Sequence, residues 1–297
     1  MQKAGFPPGV VNVLSGYGKP SGALLASHMD VRVISFTGSP ATSRSIQAAA
    51  ANSNLRSVIL ELGGKSPCIV FEDADIPAAV EVAMKSMEHM SGQMCMMNSR
   101  IYVHETDRDG FLEGCKEFIK NVRIGDPLDL QITHGPQADK IQFDRVKGYL
   151  DLVREGLGKI ALGGNVYSGS NSGFFIDPTI LTNVPEDKRV MKEEIFGPVA
   201  AVNMFKTEKE VLTKANDTVY GFYASISTQH ISRAMRFAKA IESGTVAINR
   251  SSPPWLPDMP FGGYKGSGLG REGYHHSLDH YLKTMTVLLK VDEQIQG

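Results

Sequence analysis

Apolar and polar positions along this chain fall into short blocks of two alternating kinds. Runs rich in β-branched residues, "VVNVLSG" at 10–16, "VRVISFTGS" at 31–39 and "RSVILELGGKSP" at 56–67, predict strands. Between them, "KPSGALLASHM" at 19–29 and "ATSRSIQAAAAN" at 41–52 place small and apolar residues at helical spacing. A strand, helix, strand rhythm of this kind implies βαβ crossovers and a parallel sheet, so the fold class is α/β. "PAAVEVAMKSMEHM" at 77–90 is apolar at helical spacing and leads through a turn into a strand at 100–104. A second α/β stretch follows, with helices near 106–122, 137–156 and 229–243 and strands near 159–162, 199–204 and 245–249. Beyond 250 the chain is rich in proline and glycine, and it ends in an alternating segment, "LKTMTVLLKV" at 282–291, that reads as a strand suited to join a neighbouring sheet or subunit.

Composition narrows the function. The 297 residues carry 31 Lys and Arg against 32 Asp and Glu, so a net charge of -1 offers no basic field for nucleic acid or an anionic membrane surface, and neither partner is expected. No apolar run is long enough to span a bilayer, and the N-terminus lacks the pattern of a secretory leader, which leads to the expectation of a cytoplasmic protein. Cys68, Cys95 and Cys115 form no CxxC pair and are odd in number, arguing against a disulfide framework and against zinc.

Three short stretches carry candidate chemistry. In "SFTGSPATS" a strand runs into Thr37, Gly38 and Ser39 and then a helix, whose unpaired first amides and dipole suit a phosphate. An ordinary serine N-cap explains the same residues. In "VILELGGKSP" the carboxylate of Glu61 ends an otherwise apolar strand, at the edge where open α/β sheets place ligands. Desolvation there would lift its pKa toward that of a general base, although pairing with a lysine such as Lys65 is the plainer alternative. In "SGQMCMMN" the thiol of Cys95 lies in a turn, where it is either a small apolar filler or a nucleophile toward a carbonyl carbon. Gly268, Gly270 and Gly273 satisfy GxGxxG, yet no strand precedes them and too little chain follows for a βαβ unit, so they read as a loop. His275 and His276 lack metal-binding companions at ligand spacing and read as an exposed helix face.

Taken in order, "AGFPPGVVNVLSGYG", "SFTGS", "LELGGKSP", "GQMC", "EEIFGPV" and "PFGGYKGSGLGRE" resemble the NAD(P)-dependent aldehyde dehydrogenases over essentially the whole chain. The resemblance implies a partial Rossmann-type cofactor domain at 1–62, an α/β catalytic domain at 63–263, and a return segment with an oligomerisation strand at 264–297. It implies that Cys95 attacks an aldehyde and that Glu61 activates the hydrolytic water. Thr37, Gly38, Ser39, Leu62, Glu194 and Phe196 would hold NAD or NADP. Phe261 and Trp255 would line the substrate pocket, with the carboxylate of Glu272 behind them. Family members are longer, and this chain resembles their C-terminal part. That shortfall removes part of the cofactor cleft, so a cofactor-independent catalyst of isomerase, cyclase or hydrolase type on the same fold, and a non-catalytic partner subunit, stand as alternatives. It should also uncover an apolar face, which predicts a homo-oligomer or a hetero-complex acting on a small carbonyl compound. Ser43, Met97 and Glu88 depart from the family's usual residues beside the cleft and the nucleophile.

Overall fold

The computed structural model describes residues 2–166, 173–252 and 257–290. A short helix α1 (Ala23–Ser27) leads to β1 (Val33–Thr37), α2 (Pro40–Ala51) and β2 (Ser57–Glu61). Next come β3 (Ser66–Val70), α3 (Ile76–Glu88), β4 (Asn98–His104), α4 (Arg108–Lys120) and α5 (Lys140–Leu152). The chain continues through β5 (Lys159–Leu162), β6 (Thr179–Thr182), α6 (Arg189–Lys192), β7 (Val199–Phe205) and α7 (Glu208–Asn216). Then follow β8 (Tyr220–Gly221), β9 (Tyr223–Ser227), α8 (Ile231–Ala240), β10 (Thr245–Ile248), β11 (Tyr264–Lys265), β12 (Gly268–Leu269) and α9 (Tyr274–Asp279).

Local chemistry sets these boundaries. Ser39, Asp75, Asp139 and Thr207 each accept the backbone N–H three residues on, capping α2, α3, α5 and α7. Helix α3 buries Ala79, Val80, Ala83, Met84 and Met87, one stripe at helical spacing. Strand β3 is buried at all five positions, as a central strand of a covered parallel sheet must be.

Two sheets result. Seven strands in the order β10-β9-β3-β4-β7-β6-β5 form the larger one, parallel except where β5 runs antiparallel to β6. The main apolar core gathers on one of its faces around Ile69, Phe71, Tyr102 and Phe205, and a second core joins α3 and α4 through Met84, Ile101 and Phe111. The smaller sheet pairs β1 with β2 in parallel, Thr37 opposite Glu61, and adds β12 antiparallel with Gly268 opposite that same glutamate.

Three expectations are corrected. Residues 10–16 form no strand, and Val13 and Leu14 stand exposed there, because no neighbouring strand takes up their backbone groups. The alternating tail is likewise not a strand over 282–290; Leu282, Met285, Val287 and Leu289 are exposed along an irregular backbone. The GxGxxG segment is more ordered than a loop, since Gly268 and Leu269 pair with β2. The other expected helices and strands lie within a few residues of their places, except that the run at 56–67 breaks into β2 and the start of β3; β6, α7 and β9 were not expected. Among the described residues no helix is long and apolar enough to cross a membrane.

Candidate active site

Strand β2 delivers its terminal carboxylate into a dry place. Ile59, Leu60, Glu61 and Leu62 are all buried, and neither carboxylate oxygen of Glu61 has a hydrogen-bond partner among the described residues. Burial first, and then the nearby Glu272 carboxylate, push Glu61 up to about 8, with Arg271 pulling the other way. The cover over it is the C-terminal return: Phe261 and Glu272 exchange backbone N–H bonds at 2.8 and 2.6 Å, and the Glu272 carboxylate accepts the Ser35 hydroxyl at 3.0 Å. A Cβ at Gly262 would stand 3.0 Å from Glu61 Oε1, so the return passes directly over the carboxylate.

Helix α3 ends in an unusual turn. Met90, Ser91 and Gly92 all have left-handed φ, at 50°, 53° and 74°. For the two with side chains this conformation costs on the order of 1–3 kcal/mol each, and surrounding contacts must hold it. Three residues on, Cys95 is half-buried in a small apolar cluster with Met94, Met96, Phe222, Tyr223 and Phe261. The Phe222 and Phe261 rings meet edge to face at 5.2 Å. Burial, then the charges of Glu194 and Glu61, raise the Cys95 thiol to about 11, offset by the backbone N–H groups of Cys95 and Met96. Cys68 and Cys115 are fully buried, and burial holds their thiols near 12.

Glu194, in the segment between α6 and β7, reaches the same place. Its Oε1 accepts the Gly64 N–H at 2.9 Å, and a Cβ on Gly63 would fall 2.1 Å from its Oε2. Burial raises this carboxyl, while the Gly64 N–H, Arg145 and Lys65 hold it down. Phe196 follows with φ 60°, its carbonyl accepting Gln142 Nε2 at 2.6 Å.

The structure thus brings Cys95, Glu61, Glu194 and Phe261 near one another, with Glu272 close enough to act on Glu61. Thr37, Gly38 and Ser39 lie at the exposed end of β1, where Gly38 N–H donates to the Glu61 carbonyl at 3.0 Å. Ser39 does act as the plain N-cap: its hydroxyl accepts from Thr42 N–H at 3.2 Å. The Leu62 N–H is spent on the Ser267 carbonyl at 2.8 Å. Trp255 lies outside the described residues. Glu61 does not pair with Lys65, whose ammonium is buried, lies near Arg100 and is pulled down to about 7.

The departures from the family pattern are accommodated. Ser43 is buried with its hydroxyl on the Pro40 carbonyl at 2.9 Å, a back-bond within the helix. Met97 packs into the α3–α4 core. Glu88, with Lys85, His89, Met90, Ser251 and Ser252, lines a cavity of about 440 Å³. Sequence reasoning missed Gln93, Gln137 and Arg100, buried or half-buried polar residues that brace this region. Only Gln93 had a signal, its place in "GQMC".

Cys95, in the turn after α3, thus packs beside Phe261, and the charges of Glu194 and of the desolvated Glu61 both act on its thiol. Residues 1–287 match the Aldehyde dehydrogenase family, and the chain belongs to that family. It is 43% identical over 298 residues to the aldehyde dehydrogenase of Alternaria alternata, covering 100% of this chain and 59% of that protein. It is also 43% identical to aldehyde dehydrogenase 1A1 of Gallus gallus, covering 99% of this chain and 57% of that one. The NAD+ complex of betaine aldehyde dehydrogenase from Staphylococcus aureus superposes with a TM-score of 0.90 at 35% identity, over 94% of this chain and 55% of its own. The chain therefore spans somewhat under three-fifths of the length of these relatives.

Proposed function

We propose that this chain oxidises an aldehyde to a carboxylic acid with NAD+, using Cys95 as nucleophile and Glu61 as general base. The observation that supports it best is Glu61 itself, a buried carboxyl with unpartnered oxygens whose charge acts on the Cys95 thiol. A carboxyl whose pKa is pushed up to about 8 in a dry pocket is, once ionised, a stronger base toward water than an ordinary carboxylate. The family and the NAD+ complexes of the solved relatives favour the cofactor.

Cys95 Sγ adds to the aldehyde carbon and the thiol proton passes to the carbonyl oxygen, giving a thiohemiacetal. The residues present suit a dinucleotide: Thr37, Gly38 and Ser39 form an exposed strand end before α2, the charge of Glu194 acts on Cys95, and Phe196 follows two residues on. Bound on these residues and Leu62, NAD+ would supply the acceptor for the hydride leaving the thiohemiacetal carbon, and the hydroxyl proton is released to solvent as the carbonyl of the thioester forms. Glu61 then takes a proton from water as the water oxygen attacks the resulting thioester; the C–S bond breaks and the thiol is restored. Phe261, packed beside Cys95, walls the substrate side of the pocket.

Incubation of the purified chain with NAD+ and a panel of aldehydes, followed by NADH absorbance, tests this. Turnover that is abolished in Cys95→Ser and strongly reduced in Glu61→Gln is the expected result. No NADH from any aldehyde, or full turnover in Cys95→Ser, overturns it.

A further inference from the structure

One stretch of chain, from Gly135 to Arg145, touches both halves of the site without contributing an atom to the chemistry. The left-handed turn at Met90, Ser91 and Gly92 survives only if its surroundings over-determine it. Those surroundings are this stretch. Ser91 Oγ donates to the Gly135 carbonyl at 2.8 Å. Gln93 Nε2 donates to the Met90 and Pro136 carbonyls at 2.9 and 3.2 Å, while its Oε1 accepts the Ala138 N–H at 2.7 Å. Gln137, 1% exposed, donates Nε2 to the Ser91 carbonyl at 3.2 Å, and its own N–H is fixed on the Phe174 carbonyl at 2.8 Å. Further on, Gln142 donates to the Ile195 and Phe196 carbonyls and Arg145 to that of Glu194, at 3.0, 2.6 and 2.7 Å.

None of these groups reaches the sulfur. Their influence passes through backbone, because the N–H groups of Cys95 and Met96 that favour the thiolate ride on the turn they hold. We propose that Gln137 is a positioning residue for the nucleophile, bracing the Ser91 carbonyl so that the Cys95 and Met96 N–H groups stay aimed at Sγ, and that α5 sets Glu194 from the same base. This rests on the reading of Cys95 as nucleophile.

Gln137→Met keeps the side chain's length and removes its donor. The measurement is the rate of iodoacetamide alkylation at the Cys95 peptide as a function of pH, by mass spectrometry on native protein, beside NAD+ titration and a melting curve. Gln137→Met should alkylate about ten- to a hundredfold more slowly than the parent chain, the scale of a small misplacement at a reacting centre. Gln142→Met should leave that rate nearly unchanged and weaken NAD+ binding. General loosening would instead speed labelling of Cys95, Cys68 and Cys115 together. A parental or faster Cys95 rate in Gln137→Met overturns the proposal. A parent Cys95 no more reactive than Cys68 and Cys115 fails at the earlier step, the nucleophile reading itself. Should Gln137→Met not fold, Gln93→Met, at a half-buried position, removes the second brace, and an unchanged rate there is equally decisive.

Discussion

Glu194 Oε1 accepts the Gly64 backbone N–H at 2.9 Å, and this bond ties the segment after α6 to the turn after β2. It sets one carboxylate beside Cys95 while Glu61 supplies another, and both disfavour the thiolate. The two differ in what opposes burial. Burial and Glu272 push Glu61 up to about 8 against Arg271, while burial raises Glu194 against the Gly64 N–H, Arg145 and Lys65.

Removing each charge should leave its own pH signature on the thiol. Glu194→Gln is expected to speed Cys95 alkylation severalfold wherever the parent Glu194 carboxylate is ionised, because a like charge is gone. Glu61→Gln should speed it only above about 8, where the parent carboxyl ionises. No acceleration by Glu61→Gln above pH 8, or by Glu194→Gln at any pH, would show that these carboxylates do not act on the thiol.

Glu61 also makes stability depend on pH. Its folded pKa, about 8, lies above the ordinary value of 4.5, so the folded chain holds a proton that the unfolded chain releases. The associated stability is complete below 4.5 and is lost as pH rises through about 8. Glu61→Gln cannot ionise and should escape this loss. Its melting temperature is expected to match the parent near pH 4.5 and to exceed it above pH 8, by the equivalent of a few kcal/mol at roughly 1.4 kcal/mol per pKa unit. Parallel melting curves across that range would refute the buried, uncompensated carboxyl.

Arg100 braces the same turn from beneath. Fully buried, it donates to the Lys65, Lys214 and Ala215 carbonyls at 2.8, 2.9 and 2.8 Å. Arg100→Met fills much of the volume yet strands three buried acceptors. A loss of about 3–5 kcal/mol in urea unfolding is expected, the usual result of breaking a buried charged network. A loss below about 1 kcal/mol would mean that water replaces the guanidinium.

What the sequence revealed followed from periodicity and local spacing. The stripe of α3 announces itself because burial on one face dictates residue type, whereas β3 went unread behind the Gly63-Gly64 turn. Glu61 was legible as a lone carboxylate ending an apolar strand, and Cys95 as a thiol in a turn. The segments at 10–16 and 282–290 misled because alternation records a capacity for pairing, while a strand also needs a neighbour. Gln137 and Arg100 stayed hidden for another reason. Their partners are backbone carbonyls 35 to 115 residues away, and a carbonyl leaves no mark on residue identity.

Two glycines show how the site's geometry constrains sequence. Gly92 has φ 74°, and a Cβ there would lie 2.2 Å from both the carbonyl carbon and the oxygen of Gly197. Those atoms are backbone on the segment that carries Glu194, so neither side can yield without moving the carboxylate away from Gly64. Gly148 sits exposed in the middle of α5 with nothing within 4 Å of its would-be Cβ. Gly148→Ala should therefore stabilise the chain by about 0.5–1 kcal/mol, since alanine loses less backbone entropy in a helix. Gly92→Ala should cost more than about 3 kcal/mol, combining left-handed strain with a backbone clash. It should also slow Cys95 alkylation in whatever fraction folds. Equal urea midpoints for the two variants would mean that the turn ahead of Cys95 is not held against Gly197.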